Sequence, residues 1–314
     1  MKIISQQEIM NLCISPAQSL EWITQSFKMK YNCILPQKTS VKPFDYVFYN
    51  SMPCYIPSPV NKYGIKIVSR YPEMKPSLNA DYLLYDGESG KLLALMDANW
   101  ITTMRTGAVA TLTIHLFKAS DASVYSFVGL GNTACAVMQC LLETSPDEMF
   151  HVRIMAHKGQ EIDFINRFSG YSNVSFEVVD NHRDLIVESD VIVSCVTVMN
   201  GLFATDDAYK EGCLVVPVHT RGFQNCDLFF DKVFVDDTMH VSDFSNFSHF
   251  KSLGELSNVL LGNIPGRDND RQRILAYNIG IGLHDLYFAD KIYGMTADTA
   301  MEYDYSKING TCRI

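Results

Sequence analysis

The chain has 314 residues and carries 35 acidic against 26 basic side chains, a net charge of −9. Its 47% hydrophobic and 19% charged residues are typical of a globular protein and exclude disordered, coiled-coil and collagen-like classes. We expect two domains in a cytoplasmic protein with no nucleic-acid or membrane partner, because the charge is acidic and no apolar run could span a bilayer.

Helices and then a small sheet are predicted for the first part of the chain. Apolar residues at helical spacing over 6–28, interrupted at Ser15-Pro16, predict one or two helices. Short apolar runs separated by prolines and turns then predict a small, mostly antiparallel sheet. These runs are 46–49, 65–68, 82–85 and 92–96. A helix is expected over 102–117.

The second part of the chain alternates short apolar runs with helical patterns. The expected strands are 124–128, 152–155, 174–178, 191–196, 214–218 and 233–235. Such alternation is typical of a doubly wound parallel sheet. From residue 267 the chain is predicted to be helical through residue 293. The predicted fold class is therefore α/β, a Rossmann-type doubly wound parallel sheet with a smaller α+β domain.

The strongest local motif is G-L-G-N-T-A at 129–134, between a predicted strand and a predicted helix. Gly129 permits a tight turn, Gly131 admits a pyrophosphate, and Ala134 lets the helix pack near the strand. Free N–H groups at the helix start would face the phosphates. Gly129, Gly131, Asn132, Thr133 and Ala134 are therefore predicted to bind a dinucleotide; a merely tight turn is the ordinary alternative.

The end of the next predicted strand bears on the choice of cofactor. NAD-binding proteins usually carry an acidic residue there, which bonds the ribose 2′-hydroxyl. His157 and Lys158 follow this strand instead, which favours NADP(H), with NAD(H) possible and a solvated loop as the alternative. At the end of a later strand, Val196 and Thr197 are candidate ribose or nicotinamide contacts; a plain strand end is the alternative.

A second motif, D-A-N-W-I-T-T-M-R-T-G-A at 97–108, resembles the signature of the ornithine cyclodeaminase/mu-crystallin family. Other segments resemble the family's motifs in the same order. They are 51–55, 64–68, 85–96, 129–134, 189–191 and 234–237. The resemblance extends from about residue 46 to residue 293.

The resemblance implies a domain organisation. Residues 1–117 together with 285–314 would form the substrate-binding and dimerisation domain, and 118–284 the NAD(P)-binding Rossmann domain. A homodimer is expected. The nine cysteines are scattered without a C-x-x-C pair, so neither a disulfide framework nor a metal site is expected.

The resemblance also implies roles for four residues in the first of these domains. Arg105 would clamp a substrate carboxylate, for which a planar guanidinium is well suited. Lys66 would contact the same carboxylate or the imine-bearing carbon, as a charge and proton donor. Met52, in the M-P motif, is a candidate substrate contact, and Thr106 a candidate cofactor contact. By themselves, an arginine opening a helix and a lysine in a strand are usually structural or exposed.

The sequence departs from cyclodeaminases after the fifth strand of the predicted Rossmann domain. Where those enzymes carry a catalytic Asp, this chain has Arg221, and Asn50 stands near the place of a family Glu. His219 is the local group suited to proton transfer near neutral pH; a hydrogen-bonded residue at a strand end is the alternative. Arg221 is a candidate for binding a second substrate carboxylate. The departures argue against ornithine cyclodeaminase itself.

Three functions are consistent with these residues. The leading one is an NAD(P)-dependent oxidoreductase that reduces an imine or oxidises an amino acid, with Lys66, Arg105 and His219 as catalytic residues. The second is a redox-neutral cyclodeaminase or amino-acid-condensing enzyme with bound NAD. The third is a mu-crystallin-like protein that binds NADPH or another ligand with little catalysis.

Overall fold

The computed structural model describes residues 1–196, 199, 201–219, 223–224, 226–296 and 299–305. The chain forms two compact units. The first unit comprises Met1–Cys13, Asn32–Thr102 and Asp285–Ile314, and the second comprises Ile14–Tyr31 and Thr103–His284. The domain boundary near residue 117 stays a prediction.

The N-terminal helices form where the sequence predicts them. Helix α1 (Gln6–Asn11) begins after Ser5, whose side chain accepts from the Glu8 backbone N–H in a capping box. Helix α2 (Pro16–Met29) begins after Ser15, which caps the Gln18 N–H, with Pro16 at the first helical position. The predicted interruption at Ser15-Pro16 is confirmed.

A seven-stranded sheet lies in the first unit, in the order β15-β1-β6-β5-β4-β3-β2. The strands are β1 (Lys2–Ile4), β2 (Thr39–Phe44), β3 (Val47–Ile56), β4 (Lys62–Arg70), β5 (Leu78–Asp86), β6 (Leu92–Asp97) and β15 (Met301–Glu302). Strands β2 to β6 pair antiparallel, as predicted, whereas β1 pairs parallel to β6. Alternate residues of β3, β4 and β5 are buried on one face, which holds the core.

An eight-stranded parallel sheet forms the second unit, in the order β13-β12-β14-β11-β10-β7-β8-β9. Its strands are β7 (Val124–Val128), β8 (Phe150–Met155), β9 (Val174–Val179), β10 (Val191–Ser194), β11 (Leu214–Pro217), β12 (Lys232–Val235), β13 (Gly254–Glu255) and β14 (Ile274–Tyr277). The strand order reverses at β7, which pairs with both β8 and β10. This reversal is the switch point at which doubly wound sheets bind nucleotides, so the predicted fold class is confirmed.

The remaining helices complete the two units. They are α3 (Asn99–Phe117), α4 (Asn132–Thr144), α5 (Gln160–Phe168), α6 (His182–Ile186), α7 (Leu256–Leu260) and α8 (Gly282–Met295). Helix α3 begins three residues before the predicted start. Gly107 lets α3 lie against α4, since a Cβ there would be 2.7 Å from the Ala136 backbone carbon. Residue 107, directly after Arg105 and Thr106, must therefore be glycine for α3 and α4 to pack this closely.

The prediction of continuous helix from residue 267 to 293 is wrong in its first half. Strand β14 lies there, between β11 and β12, and all four of its residues are buried. A short continuous apolar run such as I-L-A-Y has no periodicity that separates strand from helix. Strand β10 also ends at Ser194, two residues before its predicted end.

Candidate active site

The glycine-rich loop joins β7 to α4 at the switch point. Gly129 has a φ of 88°, and a Cβ there would be 3.0 Å from Val196 Cγ1, so the turn requires glycine. Gly131 is the N-cap of α4 and, as a glycine, has no side chain to cap the helix. A Cβ at Gly131 would meet nothing within 4 Å. The loop thus offers the helix start without a side-chain cap and with open space before it, which fits a dinucleotide pyrophosphate.

The other predicted loop residues occupy the first turn of α4. Asn132 is exposed, Thr133 is half-buried and Ala134 is fully buried. Ala134 therefore packs in the interior, whereas Asn132 is open to solvent; that these residues bind a dinucleotide stays a prediction. Val196 is half-buried beside Gly129. Thr197 lies outside the described residues.

His157 and Lys158 lie exposed at the end of β8. Lys158 has a φ of 54°, in the left-handed region. The Glu161 carboxylate accepts a hydrogen bond from the His157 backbone N–H at 2.9 Å, and this bond lowers the pKa of Glu161 below its usual value. This carboxylate was not predicted, because it lies in α5, beyond the strand end where an acidic residue is usually sought.

Arg105 lies in α3 within the second unit and is 6% exposed. Its guanidinium packs against Gly280, where an added Cβ would be 2.2 Å from Nη1. Gly280 has a φ of 79° and donates its N–H to Asp236 Oδ2 at 2.9 Å. The other oxygen of Asp236 accepts from Asn278 Nδ2 at 3.0 Å. A buried carboxylate thus fixes the loop on which the guanidinium packs.

Burial raises the pKa of Asp236 to about 6, against the opposing effects of the Gly280 N–H, the Asn278 amide and the Arg105 charge. The side chain is completely buried, and desolvation disfavours its charged form. Asp236 belongs to the V-D-D segment that resembles a family motif, but no local pattern indicates its bond to Gly280. The two residues are 44 positions apart.

Lys66 lies on the buried face of the first unit's sheet. On the neighbouring strands, Lys66 is paired with Met52 of β3 and with Tyr82 of β5. The side chain is 0% exposed, and its Nζ forms an ion pair with Asp285 Oδ1 at 2.7 Å. Asp285 was not among the predicted site residues; its signal in the sequence is that it is the one carboxylate in the apolar stretch 281–289.

His219 is half-buried just after β11. Val218 before it donates its N–H to the Ser194 carbonyl, which fixes the end of β11 beside β10. Arg221 lies outside the described residues. The next carboxylate, Asp227, is 2% exposed and accepts hydrogen bonds from Asn246 and from the Tyr277 hydroxyl. These two bonds hold the Asp227 carboxylate against Asn246 and Tyr277 within the second unit.

The predicted site residues fall into two sets. Met52 and Lys66 lie in the first unit, and Arg105, half-buried Thr106 and the described nucleotide and strand-end residues lie in the second. Among the described residues, no cluster of three or more His, Cys, Asp or Glu side chains is arranged to hold a metal ion. In the same part of the chain, no helix is long and apolar enough to cross a membrane.

The reversed parallel sheet and its glycine loop define a protein with a Rossmann-type dinucleotide fold. The profile of the ornithine cyclodeaminase/mu-crystallin family matches residues 3–300. The chain therefore belongs to the ornithine cyclodeaminase/mu-crystallin family, as the motifs at 97–108 and 129–134 predicted.

Proteins that carry different names are similar to this chain in sequence. The nodulation efficiency protein NfeD of Rhizobium meliloti is 24% identical over 282 residues, which cover 82% of this chain and 83% of that protein. The N-((2S)-2-amino-2-carboxyethyl)-L-glutamate dehydrogenase of Staphylococcus aureus is 25% identical over 229 residues, with coverages of 67% and 66%.

A solved structure extends the likeness to the whole fold. The Δ1-pyrroline-2-carboxylate reductase of Thermococcus litoralis, in complex with NADH and L-proline, has a TM-score of 0.85 and 22% identity. The match covers 96% of this chain and all of that one. At this identity the likeness establishes the fold.

Proposed function

We propose that the chain is an NAD(P)-dependent oxidoreductase that interconverts a small amino acid and its imine, with NADP(H) as the favoured cofactor. The observation that carries the proposal is the Gly129–Ala134 loop, with open space before Gly131, at the switch point of the parallel sheet. The named activities of the dehydrogenase and the reductase that resemble this chain support the same reaction class.

In this proposal Lys66 and Arg105 bind the substrate carboxylate. A guanidinium binds it through two parallel hydrogen bonds, and an ammonium adds a point charge. Their main contribution is orientation, because hydride transfer requires the α-carbon to be held in one position. Met52, beside Lys66 in register, would contact the substrate's apolar part.

The cofactor would lie along the second unit. Residues 129–134 would hold its pyrophosphate, His157 and Lys158 the 2′-phosphate, and Thr106, Val196 and Thr197 its ribose or nicotinamide end. When bound, the nicotinamide supplies or accepts a hydride at the substrate α-carbon. His219 would transfer the proton to or from the substrate nitrogen, directly or through water. Arg221 would bind a second carboxylate if the substrate has one.

The test is turnover on a substrate panel with NADPH and NADH. The panel contains Δ1-pyrroline-2-carboxylate, pyruvate with amines, and pairs of 2-oxo acids with amino acids. We expect cofactor oxidation with at least one member and its loss in Arg105→Ala. Wild-type-like activity of Arg105→Ala would contradict the proposed role of Arg105.

Two other outcomes would replace the proposal with a different function. Without net cofactor change, ammonia release from ornithine or lysine would identify a redox-neutral cyclodeaminase, and phosphate release from phosphoserine supplied with a second amino acid would identify a condensing enzyme. Tight NADPH binding without any turnover would identify a mu-crystallin-like binding protein. Mass spectrometry of the products and fluorescence titration of the cofactor distinguish the two.

The proposal also includes a cytoplasmic location and a homodimer. The sheet face opposite Lys66 supports the dimer, because Tyr63 and Leu95 there are each 37% exposed in the single chain. Apolar side chains on one sheet face commonly mark an interface. Light scattering on the protein as it elutes from a size-exclusion column should give the mass of a dimer. Cell fractionation would test the location.

A further inference from the structure

The ion pair between Lys66 and Asp285 is the most completely buried one among the described residues. Both side chains are 0% exposed, and the Nζ–Oδ1 distance is 2.7 Å. Asp285 lies in the first turn of α8, and Lys66 lies near the middle of β4. The two residues are 219 positions apart, so the folding of this unit brings them together.

Three buried side chains lie beside Lys66 on the same sheet face. The buried sheet face around Lys66 contains Met52, Cys54 and Tyr82. Burial raises the pKa of the Cys54 thiol and of the Tyr82 hydroxyl far above their usual values, with a smaller contribution from the Asp285 charge. Both groups are therefore neutral at physiological pH. Asp285 thus supplies a negative charge directly at the Lys66 ammonium in a dry environment.

Stability alone does not account for such a pair. Removing two charges from water costs several kcal/mol per ion, and the attraction between them often only balances that cost. Replacement of a buried pair by apolar residues is frequently neutral or stabilising, whereas removal of one partner is strongly destabilising. A pair that is not required for stability can instead serve to hold the Lys66 ammonium in one place.

We propose that Asp285 is a positioning residue that acts through Lys66. It holds the Lys66 ammonium in one place, so that the ammonium can bind the carboxylate of the substrate. This inference rests on the proposed function, in which Lys66 contacts the substrate. Asp285 itself makes no contact with the reacting atoms in this scheme.

Asp285→Asn tests the proposal, because asparagine keeps the shape and an acceptor oxygen but removes the charge. We expect kcat/KM for the best panel substrate to fall at least about tenfold, mainly through a higher KM. The Kd for NADPH should not change, since the inferred role of Asp285 is in binding the substrate. In Asp285→Glu, which restores the charge, kcat/KM should lie between the values of the wild type and of Asp285→Asn.

A double-mutant cycle separates positioning from general destabilisation. In a Lys66→Met background, Asp285→Asn should cause no further loss of kcat/KM, because the residue through which it acts is gone. The double variant lacks both charges and is expected to fold. If the losses in kcat/KM multiply, Asp285 acts independently of Lys66 and the proposal is overturned.

The matched control is Lys30 in the second unit, which is 4% exposed and forms ion pairs with Glu255 at 2.7 Å and with Asp237 at 2.8 Å. Lys30→Met and Glu255→Gln should lower Tm but leave kcat/KM unchanged at temperatures where they are folded. Wild-type kcat/KM in Asp285→Asn, or an equal loss in Glu255→Gln, would overturn the proposal. Absence of wild-type turnover on the whole panel would instead reject the proposed function.

Discussion

Gly280 lies so close to Arg105 that a methyl group on its Cα would stand 2.2 Å from the guanidinium Nη1. The glycine is held in the left-handed region, with a φ of 79°, by its hydrogen bond to buried Asp236. The position of the guanidinium is thus set by a backbone that only glycine can provide. If Arg105 binds the substrate, Gly280 and Asp236 determine where it does so.

Gly280→Ala should therefore displace the guanidinium and lower kcat/KM at least about tenfold. The left-handed backbone adds a strain of about 1 kcal/mol, which lowers stability as well. Gly262→Ala is the matched control, because Gly262 has a φ of 73° and open space around it. Both variants should lose stability from backbone strain, and Gly280→Ala should lose more because its Cβ displaces the guanidinium; urea unfolding measures both losses. Equal kcat/KM in the two variants would contradict the role of Gly280.

Asp236 gives a prediction about pH. Its pKa is raised from 3.8 to about 6 in the folded protein, so between these pH values the folded state binds the proton more tightly than the unfolded state. This group therefore lowers the free energy of unfolding as pH rises from about 4 to about 6. Asp236→Asn removes this contribution.

Urea unfolding of the wild type and of Asp236→Asn across that window measures the effect. The free energy of unfolding of the wild type minus that of the variant should decrease as pH rises, and should level off above the pKa of Asp236. Profiles that stay parallel throughout would show that Asp236 does not titrate in this range. Other titrating groups contribute equally to both proteins and cancel in the difference.

The sequence predicted the parts of the site that are encoded by local pattern. The glycine loop at 129–134 has a fixed spacing between a strand and a helix, and Arg105 lies in a contiguous motif, so both could be located by reading along the chain. The ion pair of Lys66 with Asp285 and the bond of Gly280 to Asp236 join residues that are 219 and 44 positions apart. No local pattern encodes such distances.

The mistaken prediction of helix from residue 267 onward has a similar physical cause. Strand β14 has four apolar residues and lies inside the sheet, where burial on both faces removes the alternation by which strands are recognised. The antiparallel strands β3 to β5 alternate buried and more exposed positions, and their pattern was therefore visible in the sequence.

Lys158 gives a prediction about cofactor choice. If its ammonium binds the 2′-phosphate, Lys158→Ala should raise the Kd for NADPH about tenfold and leave the Kd for NADH unchanged. Alanine has the same Cβ as lysine, so the left-handed backbone at this position is strained equally in both proteins. Fluorescence titration with each cofactor provides the measurement, with NADH as the internal control. Equal changes for both cofactors would contradict a 2′-phosphate contact.

The two glycines of the nucleotide loop should respond differently to the same substitution. A Cβ at Gly129 would press on Val196 in a left-handed backbone with a φ of 88°, whereas a Cβ at Gly131 would meet no atom within 4 Å. Gly129→Ala should therefore lower Tm, and Gly131→Ala should leave it unchanged. If the open space before Gly131 receives the pyrophosphate, Gly131→Ala should nevertheless raise the Kd for NADPH at least about tenfold. Thermal unfolding without cofactor and fluorescence titration with it measure the two effects separately. Unchanged NADPH affinity in a folded Gly131→Ala variant would show that the dinucleotide does not bind at this loop.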